Sequence, residues 1–308
     1  MTLAFISHPD CLLHEMGPVH PESPARLWAI NDQLIASRVD SVLRHVDAPL
    51  ATRAQLLRVH DPAYIDTLFR SSPQAGLVAL DPETLMNPHT LDAAMRAAGA
   101  AVLGVDMVLR AEAQAAFCSV RPPGHHAERA RAMGGCFINN VAVAAAHALQ
   151  VHGLERIAIV DFDVHHGNGT EDIFRTEKRV LFCSIFQHPY YPYRGADCGS
   201  DHMVNVPLPA GTRGAAYRQA VETRWMPALE RYRPQLILMS AGFDGHYADD
   251  IGQMQLDETD YFWLTQKIKT VAARFAQGRI VSVLEGGYTP RALGRSVVAH
   301  LQALLGSG

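Results

Sequence analysis

Short apolar runs alternate with longer segments of helical periodicity along most of the chain. The apolar runs of five or six residues are typical of buried parallel strands, and they occupy residues 115–120, 156–160, 180–185, 236–240 and 279–284. Helical patterns occupy residues 92–116, 140–151, 215–231 and 259–277. This alternation predicts a single α/β domain, residues 1–308, in which helices flank both faces of a central, mostly parallel β-sheet.

A cluster of polar residues follows each predicted strand. The clusters are residues 121–126, 161–168, 186–193, 241–244 with Asp249, and 285–288. In open α/β sheets, ligands bind outside the carboxyl ends of the strands. Five clusters in this position therefore indicate one shared binding site.

The cluster at residues 161–168 carries the strongest chemical signal. In an extended chain, residues i, i+2 and i+4 point to the same face, so Asp161, Asp163 and His165 share one side. Unpaired buried charge is costly, and a divalent cation would compensate for two carboxylates beside an imidazole. The alternative is that Asp163 and His165 form an ordinary buried hydrogen-bonded pair.

Composition narrows the function classes. The chain has 308 residues, 48% of them hydrophobic, and a net charge of -4 without a dense Lys/Arg run, so we expect neither nucleic acid nor a membrane as a partner. The five cysteines form no Cys-x-x-Cys pair, which predicts reduced thiols in a cytoplasmic protein. The first residues lack the pattern of a signal peptide, and no apolar segment approaches the length of a membrane span.

The motifs together resemble the histone deacetylase and acetylpolyamine amidohydrolase family, in its class II-like bacterial branch. From His20-Pro21-Glu22 onward they read Arg-Pro-Pro-Gly-His-His-Ala, Asn-Asn-Val-Ala-Val-Ala, Asp-x-Asp-x-His-His-Gly-Asn-Gly, Ser-Ala-Gly-Phe-Asp and Glu-Gly-Gly-Tyr. The resemblance implies a single-domain arginase/deacetylase-like fold. It also implies a zinc-dependent amidohydrolase that removes acetyl or other acyl groups from N-ε-acyl-lysine or a similar acylated primary amine.

By this resemblance, the zinc ligands are Asp163, His165 and Asp249. Three nitrogen and oxygen ligands leave a coordination position open, as catalytic zinc requires, and Fe²⁺ or Co²⁺ could replace zinc in such a set. Asp244, Asp249 and Asp250 lie close together in the sequence, and the spacing from the Ser-Ala-Gly-Phe-Asp motif favours Asp249.

The resemblance also implies the catalytic residues. His125 and His126 form the proton-transfer pair, with Asp161 orienting His125 and Asn168 orienting His126. Neighbouring histidines should push each other's pKa values apart, as acid and base roles require. Tyr288 would donate its hydroxyl to the oxyanion of the reaction. The alternatives are a solvent-facing His-His turn and a tyrosine without a catalytic role.

Further family features are expected around this centre. His166 is expected to be structural, and Arg26 to line an internal channel behind the metal. A potassium ion is expected at Asp161, Asp163, His165, Ser184 and Ile185. The substrate tunnel is expected to involve Gly135, Tyr190, Tyr191 and Gly286. The family has Phe at the position of Gly135, so the sequence predicts an open tunnel wall there and tolerance of bulkier acyl groups.

Three other functions remain in view. Acetylpolyamine hydrolysis uses the same chemistry on a slim cationic substrate, and it would favour acidic residues at the tunnel mouth. An arginase-like binuclear manganese hydrolase would need ligands that bridge two metals, which the single Asp-x-Asp-x-His set disfavours. A non-catalytic acyl-amine binding protein would not need the His pair or Tyr288. The expected partner is an acylated lysine peptide or protein, or an acylated amine, and assembly into a homo-oligomer stays open.

Overall fold

A computed structural model describes residues 2–197 and 199–306 of the chain. Its strands are β1 (Leu3–Ser7), β2 (Leu43–Asp47), β3 (Val78–Asp81), β4 (Thr84–Met86), β5 (Ala115–Cys118), β6 (Ile157–Asp161), β7 (Val180–Gln187), β8 (Met203–Leu208), β9 (Leu236–Ala241) and β10 (Ile280–Leu284). Its helices are α1 (Ala25–Ala36), α2 (Arg53–Leu56), α3 (Pro62–Arg70), α4 (Thr90–Leu109), α5 (Asn140–Gln150), α6 (Asn168–Phe174), α7 (Gly214–Ala220), α8 (Met226–Tyr232), α9 (Glu258–Phe275) and α10 (Pro290–Leu305).

Eight of these strands form one sheet in the order β2-β1-β5-β10-β9-β6-β7-β8. Every neighbouring pair is parallel, which confirms the predicted single-domain α/β fold. The five strands predicted from apolar runs lie side by side in the centre, where each is buried along its whole length. The edge strand β2 has only partly buried and exposed residues, and this explains why it has no continuous apolar run in the sequence.

Two predicted helices differ from the observed ones. The helix predicted at residues 92–116 ends at Leu109, because Ala115–Cys118 is already strand β5. The helix predicted at residues 215–231 is interrupted by a π-helical turn at Val221–Trp225, which divides it into α7 and α8.

Alternate side chains of the central strands point to opposite faces of the sheet. On one face, α4 approaches so closely that a Cβ on Gly104 would lie 2.8 Å from Val281 and 3.3 Å from Ala116. On the other face, the ring of His300 from α10 lies 5.7 Å from Phe117. Helices therefore cover both faces, as the alternating pattern predicts.

A buried polar chain fixes the helices of the second face. Thr265 of α9 donates to the carbonyl of Tyr261 and lies 2.7 Å from Nδ1 of His300, whose Nε2 lies 2.9 Å from the hydroxyl of Ser282 in β10. Burial lowers the pKa of His300 to about 3. The ring is therefore neutral and can donate at one nitrogen and accept at the other.

The sequence predicts reduced cysteines and no apolar segment long enough to span a membrane. Cys11, Cys118, Cys136 and Cys183 are buried free thiols, whereas Cys198 lies outside the described residues. Across the described ranges, no helix combines the length and apolar character needed to cross a membrane.

The arrangement of the sheet brings the polar clusters together. The five strands that precede them are consecutive in the order β5-β10-β9-β6-β7. Because parallel strands present their carboxyl ends at the same edge, all five clusters meet along one edge of the sheet.

Candidate active site

Three ligand-type side chains converge where β6 and β9 end. His165 Nδ1 lies 2.9 Å from Asp163 Oδ1 and 3.2 Å from Asp244 Oδ2. All three residues are buried, and one ligand atom from each lies within 4.8 Å of the other two. Two carboxylates and an imidazole in this arrangement can hold a divalent cation.

The surroundings of this cluster fit a metal ion. Asp244 Oδ2 is buried and has no hydrogen-bond partner within the described part of the chain. A Cβ on Gly286 would lie 2.1 Å from that oxygen and 2.6 Å from Asp163 Oδ2, so only glycine permits this close approach. Burial lowers the pKa of His165, but the nearby carboxylates of Asp163 and Asp244 raise it to about 10. The cluster therefore attracts positive charge.

Asp249, the third ligand expected from the sequence, is not among the three residues whose ligand atoms lie within 4.8 Å of one another, and its role as a ligand stays a prediction. Its Oδ2 accepts hydrogen bonds from the amides of Tyr288 (2.6 Å) and Thr289 (3.0 Å), and its Oδ1 accepts one from Ile251 (3.0 Å). Through these hydrogen bonds Asp249 also holds the segment that carries Tyr288.

The adjacent histidines have different orienting partners. Nδ1 of His125 lies 3.0 Å from Asp161 Oδ2, and Nδ1 of His126 lies 2.7 Å from Asn168 Oδ1. The NH₂ group of Asn168 donates to Glu128 at 2.8 Å, so the side-chain oxygen of Asn168 accepts a hydrogen bond from Nδ1–H of His126. Nε2 of a neutral His126 consequently keeps its lone pair.

The two rings, whose centroids are 4.1 Å apart, differ in charge. Burial works against protonation of His125, but Asp161 and Asp163 hold its pKa well above the usual value. Burial and the neighbouring His125 hold the pKa of His126 well below the usual value. One ring is thus a cation beside a neutral partner, because two adjacent buried cations would repel each other.

Glu285 supports this pair, and the sequence reasoning did not assign it a role. Its Oε2 accepts the amides of Gly124 (2.7 Å) and His125 (3.1 Å), and its Oε1 accepts the hydroxyl of Ser240 (3.0 Å). Burial raises the pKa of Glu285 to about 7. Glu285 follows an apolar run directly, as Asp161 does, and this pattern could have identified it as a candidate site residue.

Tyr288 and Arg26 lie together beside the cavity. Burial and Asp244 raise the pKa of Tyr288 well above its usual range, so its hydroxyl keeps its proton. The guanidinium of Arg26 lies 5.0 Å from the centre of the Tyr288 ring. It donates to the carbonyl of Gly287 (2.7 Å) and to Glu22 (2.9 Å). A channel at Arg26 stays a prediction.

A cavity of about 340 Å³ opens above these groups. It is lined by His20, Pro21, Glu22, Glu83, His126, Gly134, His165, Tyr190, Tyr191, Ile251 and Tyr288. Tyr190 stacks on His165 with ring centroids 5.4 Å apart, and Tyr191 meets the edge of His126 at 5.2 Å. The two predicted tunnel tyrosines therefore stand beside the histidines.

The open wall predicted at Gly135 stays a prediction, and the structure shows what lies next to this position. Gly134 and Gly135 have φ angles of +57° and +72°. They form the centre of a tight turn of type I′, which is closed by backbone hydrogen bonds between Met133 and Cys136. A Cβ on Gly135 would lie 3.1 Å from Met16 Cε, so Met16 occupies the adjacent space. Gly134 lines the cavity instead.

The remaining predicted residues lie below the cavity. Gly286 donates its amide to Asp163 Oδ2 at 2.8 Å and so supports the metal cluster from behind. His166 lies 3.0 Å from Ser184 Oγ and 2.5 Å from Glu171, away from the three ligand atoms. The potassium site, which includes Ser184 and Ile185, stays a prediction.

Comparison with known proteins identifies the family. The sequence pattern of the histone deacetylase domain matches residues 20–304. The chain belongs to the histone deacetylase family. Among its relatives, the probable deacetylase of Archaeoglobus fulgidus is 36% identical over 94% of this chain and 82% of its own length. The histone deacetylase-like amidohydrolase of Pseudomonas aeruginosa is 38% identical over 93% of this chain and 81% of its own.

Two further relatives extend the comparison of this histone deacetylase family member. The human polyamine deacetylase HDAC10 is 37% identical over 99% of this chain and 48% of its own length. The crystal structure of the HDA15 HD domain superposes with a TM-score of 0.93 at 32% identity, covering all of this chain and 89% of that one. The arginase/deacetylase-like fold is thereby confirmed.

A buried histidine outside the predicted site supports the loop that carries the His pair. Nε2 of His60 accepts the amide of Asn139, so Nδ1 carries the proton and donates to the carbonyl of Glu128, both at 3.0 Å. Burial lowers the pKa of His60 to about 4. Its neutral form therefore links the loop to the start of α5.

This pKa generates a stability prediction. An unfolded histidine titrates near about 6.5, so the stability from neutral His60 is complete above that pH and declines as the pH falls toward 4. Between pH 7 and pH 5 the decline should be about 2 kcal/mol. Urea unfolding at both pH values should show that the free energy of unfolding falls between pH 7 and pH 5 by about this amount less in His60→Gln than in the wild type. His89→Gln, at an exposed position, is the control, and an equal loss in wild type and His60→Gln would contradict the assignment.

Proposed function

We propose that this protein is a zinc-dependent amidohydrolase that deacylates N-ε-acyl-lysine or a similar acylated primary amine. The observation that carries the proposal is the position of the Asp163, His165 and Asp244 cluster beneath a cavity lined by His126 and Tyr288. Family membership supports the reaction class. An acylated peptide, protein or amine is the proposed partner, and the buried free thiols support a cytoplasmic location.

Asp163 and His165 would hold the zinc, with either Asp249, the ligand expected from the sequence, or Asp244, whose Oδ2 lies 3.2 Å from His165 Nδ1, as the third ligand. Fe²⁺ or Co²⁺ could replace zinc in this set. Zinc bound there would polarise the amide carbonyl and lower the pKa of a water molecule. A potassium ion beside Asp161 and Ser184 belongs to the proposal as a structural ion.

The histidines would divide the proton transfers. Neutral His126, with its lone pair on Nε2, accepts the proton of the attacking water. Charged His125 stabilises the negative charge that develops. The proton that His126 has taken up then passes to the amide nitrogen as the C–N bond breaks, so the amine leaves in neutral form. The protonated hydroxyl of Tyr288 donates to the substrate carbonyl oxygen as it becomes an oxyanion. Tyr190 and Tyr191 flank the methylene stem of the acylated amine.

The two candidates for the third ligand predict different effects. The aspartate that binds zinc should lose bound zinc when it is changed to alanine, because one of three ligands is removed. Metal analysis of purified Asp249→Ala and Asp244→Ala, with Asp163→Ala as the positive control, separates the two. Loss of zinc in Asp249→Ala alone would identify Asp249 as the ligand, and loss in Asp244→Ala alone would identify Asp244. Full zinc occupancy in both variants would refute a three-ligand site here.

Tyr288→Phe tests the reaction itself. Removing the hydroxyl should reduce kcat on an acetyl-lysine peptide by roughly 10²- to 10³-fold, with zinc content and fold unchanged. Tyr193→Phe is the matched control, because its side chain is 71% exposed. Wild-type protein loaded with zinc that turns over neither acyl-lysine peptides nor acylated amines would overturn the proposed function, and near-wild-type turnover in Tyr288→Phe would remove Tyr288 from the mechanism.

Acetylpolyamine hydrolysis is a second candidate, and Glu83 favours it. This exposed carboxylate lines the cavity and would attract an amine that carries further positive charge. One of the relatives is named a polyamine deacetylase.

Glu83→Gln distinguishes this substrate class. The kcat/KM for an acetylated polyamine should fall by roughly three- to fivefold, the size expected for one exposed ion pair, whereas the value for a neutral acetyl-lysine amide should stay unchanged. Asp32→Asn, an exposed change on α1 outside the cavity, controls for net charge. Equal effects on both substrates would remove the support that Glu83 gives to the polyamine candidate.

A further inference from the structure

A second cluster of metal-ligand side chains lies at the ends of α4 and α5. Asp106 stands in the last turn of α4, His147 in the last turns of α5, and His152 just beyond α5. Their side chains are 19%, 7% and 19% exposed. His147 follows the first residue of α5 by seven positions, so it lies roughly 10 Å along the helix axis from the end that meets the catalytic loop.

The Nε2 atoms of both histidines lie next to one carboxylate oxygen of Asp106. Asp106 Oδ1 lies 2.8 Å from His147 Nε2 and 2.6 Å from His152 Nε2. All three atoms fall within 4.8 Å of one another. Ligands bound about 2.0–2.2 Å from one ion are roughly 3 Å apart, so small side-chain rotations would bring the set to coordination distance.

We propose that Asp106, His147 and His152 form a second binding site for a divalent transition-metal ion, of which zinc is the representative. Two imidazoles and one carboxylate are a ligand set for such ions. Partial exposure gives the ion access from solvent and leaves its remaining positions to water. This site is independent of the proposed catalytic zinc.

Arg58 restrains the affinity of this site. Its guanidinium lies 3.0 Å from Nδ1 of His147. When Arg58 donates to Nδ1, the ring proton is on Nε2, the atom that the metal needs. Metal binding therefore requires the other tautomer and a displaced Arg58, whose charge also repels the cation. The structure assigns Arg58 as a competitor of the metal.

The ion would stabilise the helix that supports the catalytic loop. At the other end of α5, Asn140 donates to the carbonyl of Pro122 and Asn139 donates to that of Ala127, both at 3.2 Å. Joining the end of α5 to α4 would hold this helix in place. The effect of the second ion should therefore appear in thermal stability.

The experiment measures zinc and cobalt binding to the full-length chain after chelation. Calorimetric titration, with metal analysis after dialysis, should give two equivalents for the wild type and one for His152→Ala or Asp106→Asn. Asp163→Ala should retain one equivalent, at the second site. The second equivalent should raise the Tm of the wild type, and Co²⁺ at this site should add a visible absorption band that His152→Ala lacks.

Arg58→Ala provides a test of opposite sign. It should tighten the second equivalent by about tenfold, because it removes both the competing donor and the repulsive charge, whereas the histidine and aspartate variants weaken it. A single wild-type equivalent that Asp163→Ala abolishes, or a second equivalent that persists in both His152→Ala and Asp106→Asn, would overturn the second site. Failure of the proposed catalytic site would instead leave Asp163→Ala and the wild type with the same single equivalent, which His152→Ala abolishes.

Discussion

Three carboxylates are buried together at the carboxyl edge of neighbouring strands, and the rest of the site compensates for their charge. Asp161, Asp163 and Asp244 are each at most 1% exposed. Removing such groups from water is costly unless partners replace the lost hydration. His125 pairs with Asp161, and His165 with Asp163, while one oxygen of Asp244 has no hydrogen bond within the described residues. An unsatisfied carboxylate oxygen in such a cluster is a suitable acceptor for a cation.

Glycine residues in the neighbouring loops leave enough space for these carboxylates to lie close together. A Cβ on Gly242 would lie 2.1 Å from Asp163 Oδ2, and one on Gly167 would lie 2.1 Å from Asp161 Oδ2. Glycine at these positions lets neighbouring loops approach the carboxylates closely. The amide of Gly286 adds a hydrogen bond to Asp163 from the end of β10. The carboxylates and the hydrogen-bond donors that stabilise them therefore lie at the same edge of the sheet.

A layer of buried polar residues then holds the loop that carries the His pair against the sheet. Glu285 binds the amides of Gly124 and His125 from below, and His60 joins the loop to α5 from the side. Both act through backbone groups, so they fix the position of the His pair without contacting the cavity. The α5 helix connects this layer to the second cluster of potential metal ligands at its far end.

The sequence determined the central strands, their parallel arrangement and the common face of Asp161, Asp163 and His165, because these depend on local periodicity and on a two-residue repeat. It favoured Asp249 over Asp244 as the third ligand, but it could not reveal that Asp244 Oδ2 lies 3.2 Å from His165 Nδ1. Nor could it place Met16 beside Gly135, or reveal that Glu83 reaches the cavity. Contacts between residues far apart in the chain depend on how loops fold back over the sheet, and only the tertiary structure decided them.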